Sequence, residues 1–183
     1  MAEDREADSG AAGVCFAVVF LWLARPTWLT LGLSLLLVAP GVWLRGYAAG
    51  YVRKNAELTR TGPYGHTRNP LYLGSMMIAF GFAGAAGSWV ILILLAVLFG
   101  VIYVPTILSE EAYLREHFAG FDEYAKAVPR LLPRWPAATG EAAGGFSKEL
   151  YLHHHEYNAS IGAVAIYAAL AVKLVALRVI PGF

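Results

Sequence analysis

The sequence predicts an all-α, polytopic integral membrane protein, and three observations carry that expectation. Hydrophobic residues make up 58% of the 183 and charged residues only 15%, against about 45–50% and about 25% in ordinary soluble domains. The apolar residues gather into runs that approach the roughly 20 residues a spanning helix needs. The charges fall largely in the segments between those runs. A chain this short has room for about five spans and little else, so residues 11–183 read as one membrane domain. The net charge of +1 gives no broad basic field, which argues against nucleic acid as a partner. Cys15 is the single cysteine, too few for a disulfide framework or a thiolate metal site within one chain.

Residues 1–10 set Glu3, Asp4, Glu6 and Asp8 against Arg5. A secretory leader opens with positive charge, so this stretch reads as a disordered acidic tail. Ala11 to Ala24 is apolar but only about 14 residues long, which suits a short, tilted or re-entrant helix. Arg25-Pro26 ends it, because proline disfavours a helical residue before it. The second span runs from Trp28 to about Tyr47, with Pro40-Gly41 as a kink and Arg45 near enough to the end to snorkel. A polar segment follows, Tyr51 to Pro70. The third span, about Leu71 to Ala86, carries Gly74, Gly81 and Gly84 among alanine and serine, a small-residue surface that predicts packing against protein. Gly87-Ser88 is so short a link that the fourth span, Trp89 to about Leu108, should return antiparallel to the third. Pro105 predicts a kinked exit.

Ser109 to Pro136 is charged and amphipathic, with Glu111/Arg115 and Asp122/Lys126 at i,i+4 spacing and breaks at Gly120 and Pro129, which predicts an interfacial helical segment. After a small, flexible link at 137–145 the last span runs from about Ala159 to Ile180, with Lys173 snorkelling or facing the bundle. Arg53, Lys54, Arg60 and Arg68 fall between spans two and three, and Arg115, Lys126, Arg130, Arg134 and Lys148 between four and five. The positive-inside bias therefore puts both polar segments in the cytoplasm, on one face of a multi-pass protein, where they can meet.

Those segments hold nearly all the titratable groups. The first reads Gly62-Pro63-Tyr64-Gly65-His66-Thr67-Arg68-Asn69-Pro70-Leu71-Tyr72-Leu73-Gly74. It is a turn-rich approach to a helix whose free N-terminal amides favour an anion, with Arg68 beside it to grip a carboxylate. The second opens on Glu110-Glu111 and continues through Tyr113, Phe118, Phe121, Tyr124, Arg130 and Pro133. Ser109 is a good N-cap residue, so the glutamates fit a helix start. His153-His154-His155-Glu156 invites a metal reading, but consecutive helical residues point about 100° apart, so only His153 with Glu156 or Tyr157 shares a face. No metal is expected, and the patch reads as interfacial or, through His153 and Tyr157, as a substrate contact.

Taken together, the two stretches resemble the isoprenylcysteine carboxyl methyltransferase and phospholipid methyltransferase superfamily. Its members show Gly-x-Tyr and Arg-His-Pro-x-Tyr-x-Gly and, after a hydrophobic hairpin, Glu-Glu-x-x-Leu with Phe, Tyr, Tyr, Arg and Pro. The resemblance covers roughly Gly62 to Pro133. It departs at Phe121, where a tyrosine is usual, and at Asn69, where a histidine is usual. Asparagine cannot carry a proton charge, which puts any imidazole role there in doubt. The resemblance implies an S-adenosylmethionine site with Tyr64, Arg68, Asn69, Tyr72 and Gly74 on one wall and Glu110, Glu111, Tyr124 and Arg130 on the other. Arg68, Asn69 and Glu111 would stand closest to the chemistry, and the acceptor would be lipid-like or prenylated.

The residues fit that cofactor on their own terms. Its carboxylate, ammonium, ribose diol and adenine call for a cationic donor, an acidic acceptor and apolar walls, which Arg68, Glu111 and the Tyr/Phe set supply. A carboxylate acceptor needs no base, whereas an amine must lose a proton, to Glu111 or His153. Two other classes remain open on sequence: an NADPH-dependent membrane reductase of sterol-reductase type, and a small membrane scaffold or transporter. Cofactor binding separates them.

Overall fold

The computed structural model describes residues 17–53, 57–138 and 145–179, and the regular structure among them is wholly helical. The fold class is all-α, as the sequence predicts. The acidic tail at residues 1–10 and the first part of the apolar stretch from Ala11 lie outside the described residues. The described part of that stretch, residues 17–23, is helical and is labelled α1.

Helix α2 (Trp28–Ala49) opens on a capping box in which Thr27 and Thr30 each accept the other's backbone N–H, and it runs on past Pro40. A single 3-10 turn (Gly62–Gly65) follows, then α3 (Pro70–Ala86), which starts on proline and ends at Gly87 with φ 61°. Helix α4 (Trp89–Leu98), a π-helical turn (Phe99–Tyr103) and α5 (Val104–His117) make one rod of 29 residues. The sequence reading ends this span near Leu108 and starts a new helix at Ser109, and the structure corrects it. Pro105 lacks an N–H and its ring crowds the carbonyl four residues back, at Val101. Val101 lies in the π turn, whose wider winding accommodates the proline without a break. After Gly120 (φ 81°) come α6 (Phe121–Ala127), then α7 (Lys148–His153) and α8 (Tyr157–Val179).

By length and composition, α2, the α4–α5 rod and α8 can each cross a membrane. Helix α3 is apolar but has 17 residues, about 25 Å of rise against a hydrocarbon core of about 30 Å. Among the described residues, three of the five expected spans are thus of full length and α3 is a shorter apolar helix. Leu36, Ile93, Val97, Val101, Val164 and Val172 stand well exposed on the long helices, as residues facing lipid must.

Helix α3 packs tightly on α2. A Cβ at Gly41 would lie 2.9 Å from the Gly74 carbonyl oxygen, and one at Gly74 the same distance from that of Gly41. Gly81 sits against Val38, whereas Gly84 faces open space, so the small-residue surface is used along only part of its length. Ring contacts between Tyr72 and Tyr103 and between Phe80 and Phe99 show α3 and the α4–α5 rod running antiparallel about the Gly87 turn. Of the two placements expected for Lys173, it takes the one facing the bundle: its Nζ donates to the carbonyls of Leu21 and Trp22, at the end of α1. The C-terminal end of α2, the start of α3, the π turn with α5, α6, and the turn before α8 all meet at one end of the bundle, around a cavity.

Candidate active site

The cavity has a volume of about 340 Å³, at the lower end of the roughly 300–1,000 Å³ range of small-molecule sites. Its wall is built by lacing the two polar segments together. The Arg68 N–H donates to the Pro129 carbonyl, that of Arg134 to His66, and that of Ala138 to Gly65. The Thr67 hydroxyl sits within hydrogen-bond reach of the Arg130 and Leu131 carbonyls, and the His66 ring stacks on Trp135. The expected meeting of the two segments is therefore seen directly.

Glu111 is the centre of this seam. It is buried in mid-helix, so the reading of the acidic pair as a helix start is corrected. Its carboxylate accepts Arg130 Nη2 at 2.9 Å and Nε at 3.1 Å, and Arg68 Nη2 lies 3.4 Å from Oε1. Asn69 Nδ2 donates to Arg130 O at 2.9 Å and to Glu111 Oε1 at 3.4 Å. The asparagine that replaces the family histidine thus acts as a bracket, with both amide hydrogens engaged. Glu111 does not pair with Arg115, which bonds Asp122 instead. Glu110 is exposed to the cavity and accepts the Tyr72 hydroxyl at 2.7 Å.

The aromatic wall is Tyr64, Phe121 and Tyr124. Tyr124 donates to the Tyr64 carbonyl at 2.8 Å. Burial holds the Tyr64 phenol far above its usual range, helped by Tyr124 and by the negative charge of Glu110 and Glu156. Burial likewise pushes Tyr124 up, against the opposing pull of Arg68 and Arg60. Neither phenol can serve as a base near neutrality. The guanidinium groups of Arg115 and Arg68 both stand over the Phe121 ring, 5.2 and 6.0 Å from its centre, within cation–π range.

Seven of the expected site residues line the cavity: Tyr64, Arg68, Asn69, Tyr72, Glu110, Glu111 and Tyr124. Arg130 stands behind Glu111 and pairs with it, which raises its pKa. Gly74 lies at the helix contact, where a Cβ would come within 2.7 Å of Arg45 Cγ. His153 and Tyr157 are exposed and do not line the cavity. The residue of that segment which does is Glu156, because His155 takes a left-handed φ of 51° in the turn between α7 and α8. Arg45 also turns inward instead of snorkelling, and bonds Glu156 and Ser75. The sequence did not place Arg45, Ser75, Glu156 or Thr59 in the site, although Arg45 and Glu156 were noted for other reasons; the available signal was a cation inside an apolar helix. Among the described residues, no three His, Cys, Asp or Glu side chains converge as a metal site would require.

A family model described as phospholipid methyltransferase matches residues 27–120, which include α2, the Arg68 to Gly74 stretch and the Glu110-Glu111 pair. The chain belongs to the phospholipid methyltransferase family. It is 34% identical over 123 residues to the cobalt-zinc-cadmium resistance protein CzcN of Cupriavidus metallidurans, covering 66% of this chain and 56% of that protein. It is 32% identical over 114 residues to the nickel-cobalt-cadmium resistance protein NccN of Alcaligenes xylosoxydans xylosoxydans, covering 60% and 53%. The chain spans about half the length of the curated relatives it matches. No solved structure matches it. The family match stops at residue 120, so it is the contacts described above that bring Phe121, Tyr124 and Arg130 of this methyltransferase-family chain to the site.

Proposed function

We propose that the chain is an S-adenosylmethionine-dependent membrane methyltransferase acting on a lipid-like acceptor, with the cofactor reached from the cytoplasm. One observation carries the reading: a buried glutamate paired with two arginines forms the wall of a cavity at the polar end of a lipid-facing bundle. The fit to the cofactor rests on spare valences. Arg68 Nε and Thr59 Oγ1 are buried at the cavity and have no hydrogen-bond partner among the described residues. Such groups are costly unless a ligand satisfies them, and a carboxylate does so for Arg68. Glu110 keeps one carboxylate oxygen for an ammonium or a ribose hydroxyl, and Leu58, Leu114 and the aromatic wall offer an adenine ring apolar surface.

When bound, S-adenosylmethionine supplies a methyl group on a positively charged sulfur, activated for in-line displacement. The chain's own residues position the partners and exclude water. For a carboxylate acceptor nothing more is required. For an amine, the lining carboxylates with free capacity are Glu57 and, where the cofactor does not claim its second oxygen, Glu110; Glu111 is saturated by Arg68, Arg130 and Asn69, and His153 lies outside the cavity lining. The names of the two relatives specify metals and not a methyl acceptor, so the acceptor is read from the cavity.

Calorimetry on the full chain in detergent tests the reading. S-adenosylmethionine and S-adenosylhomocysteine should bind and NADPH should not. Binding of NADPH alone would assign the cavity to a reductase.

A further inference from the structure

We infer that Arg45 is the recognition point for an anionic group of the methyl acceptor, with Glu156 as the internal counter-ion that holds Arg45 ready. The inference rests on the methyltransferase reading of the same cavity and names a second subsite within it. Arg45 lies in an otherwise apolar helix, where a cation is costly unless it is paired or functional. Its stem crosses α3 at Gly74, the residue whose missing Cβ leaves room for it. The guanidinium then meets Glu156 at 3.0 Å from Nε and 2.8 Å from Nη2, and Ser75 through Nη1. A guanidinium has five N–H donors. Three are engaged, and two are left over among the described residues.

Position and exposure show what those donors serve. Ser75 lies about 7–8 Å along α3 from Pro70, so the Arg45 head sits deeper toward the apolar body than Arg68, which precedes Pro70. Of the three arginines that line the cavity, Arg45, Arg53 and Arg68, Arg45 is thus the one set toward the apolar body, and Glu111 stands with Arg68. Both residues line the cavity, and the Arg45 side chain is 29% exposed against only 10% for Glu156, so the cation is the more open of the two to an entering group. A structural ion pair has no need to show its cation to a cavity. The left-handed His155 strengthens the case. Non-glycine residues seldom adopt that conformation, and here it turns Glu156 inward while His155 itself stays exposed. The chemistry an arginine fork selects is a phosphate or carboxylate oxygen, carried on a lipid that enters from the bilayer.

Thermal-shift titration of the full chain in neutral detergent, with dodecyl phosphate, dodecanoate and dodecanol as probes, tests this alongside S-adenosylhomocysteine calorimetry. An anionic probe should raise the melting temperature and dodecanol should not. A response to dodecyl phosphate alone assigns a phosphate-bearing headgroup, and one to dodecanoate alone a carboxylate lipid. Arg45→Gln should weaken the anionic probe by about tenfold or more while S-adenosylhomocysteine binds as in wild type. Glu156→Gln should strengthen it, because the competing negative charge is gone. That opposite sign is not expected of a purely structural pair, and it decides the matter if Arg45→Gln does not fold. Equal response to dodecanol, unchanged anion binding in Arg45→Gln, or unchanged or weaker binding in Glu156→Gln overturns the inference. Failure of wild type to bind S-adenosylhomocysteine would instead overturn the methyltransferase reading and leave an anion site at Arg45 standing.

Discussion

At the scale of single residues, the adjacent glutamates have separate duties. Glu111 is buried and surrounded by donors from Arg68, Arg130 and Asn69. Removing its charge strands buried Arg68, and breaking such a pair typically costs about 3–5 kcal/mol. Glu111→Gln should therefore lower the melting temperature in detergent sharply. Among the described residues Glu110 bonds Tyr72 alone, and it is exposed, so Glu110→Gln should leave stability nearly unchanged. It should weaken S-adenosylhomocysteine by about 1.5–3 kcal/mol, the scale of a charge-assisted hydrogen bond. Arg68→Ala should weaken the same ligand by a similar amount, about 1.5–3 kcal/mol by calorimetry; unchanged affinity in a folded variant would remove Arg68 from the site. The sequence made the pair visible but could not divide its duties. Both residues follow a good capping serine, and the absence of a helix break at Ser109 depends on how a π turn ending six residues upstream absorbs Pro105. Arg45 and Glu156 were illegible for a related reason: 111 residues separate them, and only the close approach at Gly74 joins them.

At the scale of elements, glycine positions set the distances on which the site depends. Gly74 and Gly41 let α2 and α3 touch, and Gly74 also seats the Arg45 stem. Gly74→Ala must push the helices apart or displace that stem, and overpacking of this kind costs about 1–3 kcal/mol. A lower melting temperature together with a lost response to the anionic probe is the expected outcome. A loss of stability alone would mean that Gly74 serves helix contact and not the Arg45 subsite. Gly87 has a different duty. Its φ of 61° closes α3, and a Cβ there would lie 2.8 Å from the Arg25 carbonyl oxygen. The Gly87-Ser88 turn was legible because a two-residue link between apolar runs has few solutions. The pairing of α3 chiefly with α2 was not, since small residues mark a contact surface without naming its partner.

At the scale of the whole molecule, the basic residues and the cavity share one end of the bundle. The residues before α3, the end of α5, α6 and the 130–134 stretch are laced together there. Glu57, Lys126 and Lys148 are exposed in that region. Gly87 and Ser88 lie at the far end, bonded through Ala86 to Arg25. The fold therefore requires Glu57, Lys126 and Lys148 to share one side of the membrane with Ser88 on the other. The positive-inside bias then predicts that the shared side is cytoplasmic, because lysine and arginine gather in the short segments at that end. These are separable claims. Cysteines placed singly at Glu57, Lys126, Lys148 and Ser88 in a Cys15→Ser background can be probed with an impermeant maleimide in right-side-out and inverted vesicles. The first three should label only in inverted vesicles, and Ser88 only in right-side-out ones. Reversal of all four would keep the fold and turn the cavity outward, against the cytoplasmic supply of cofactor. Labelling of Glu57 and Lys126 from opposite sides would break the seam at Glu111 itself, because no bilayer can lie between side chains whose segments are joined by hydrogen bonds of about 3 Å.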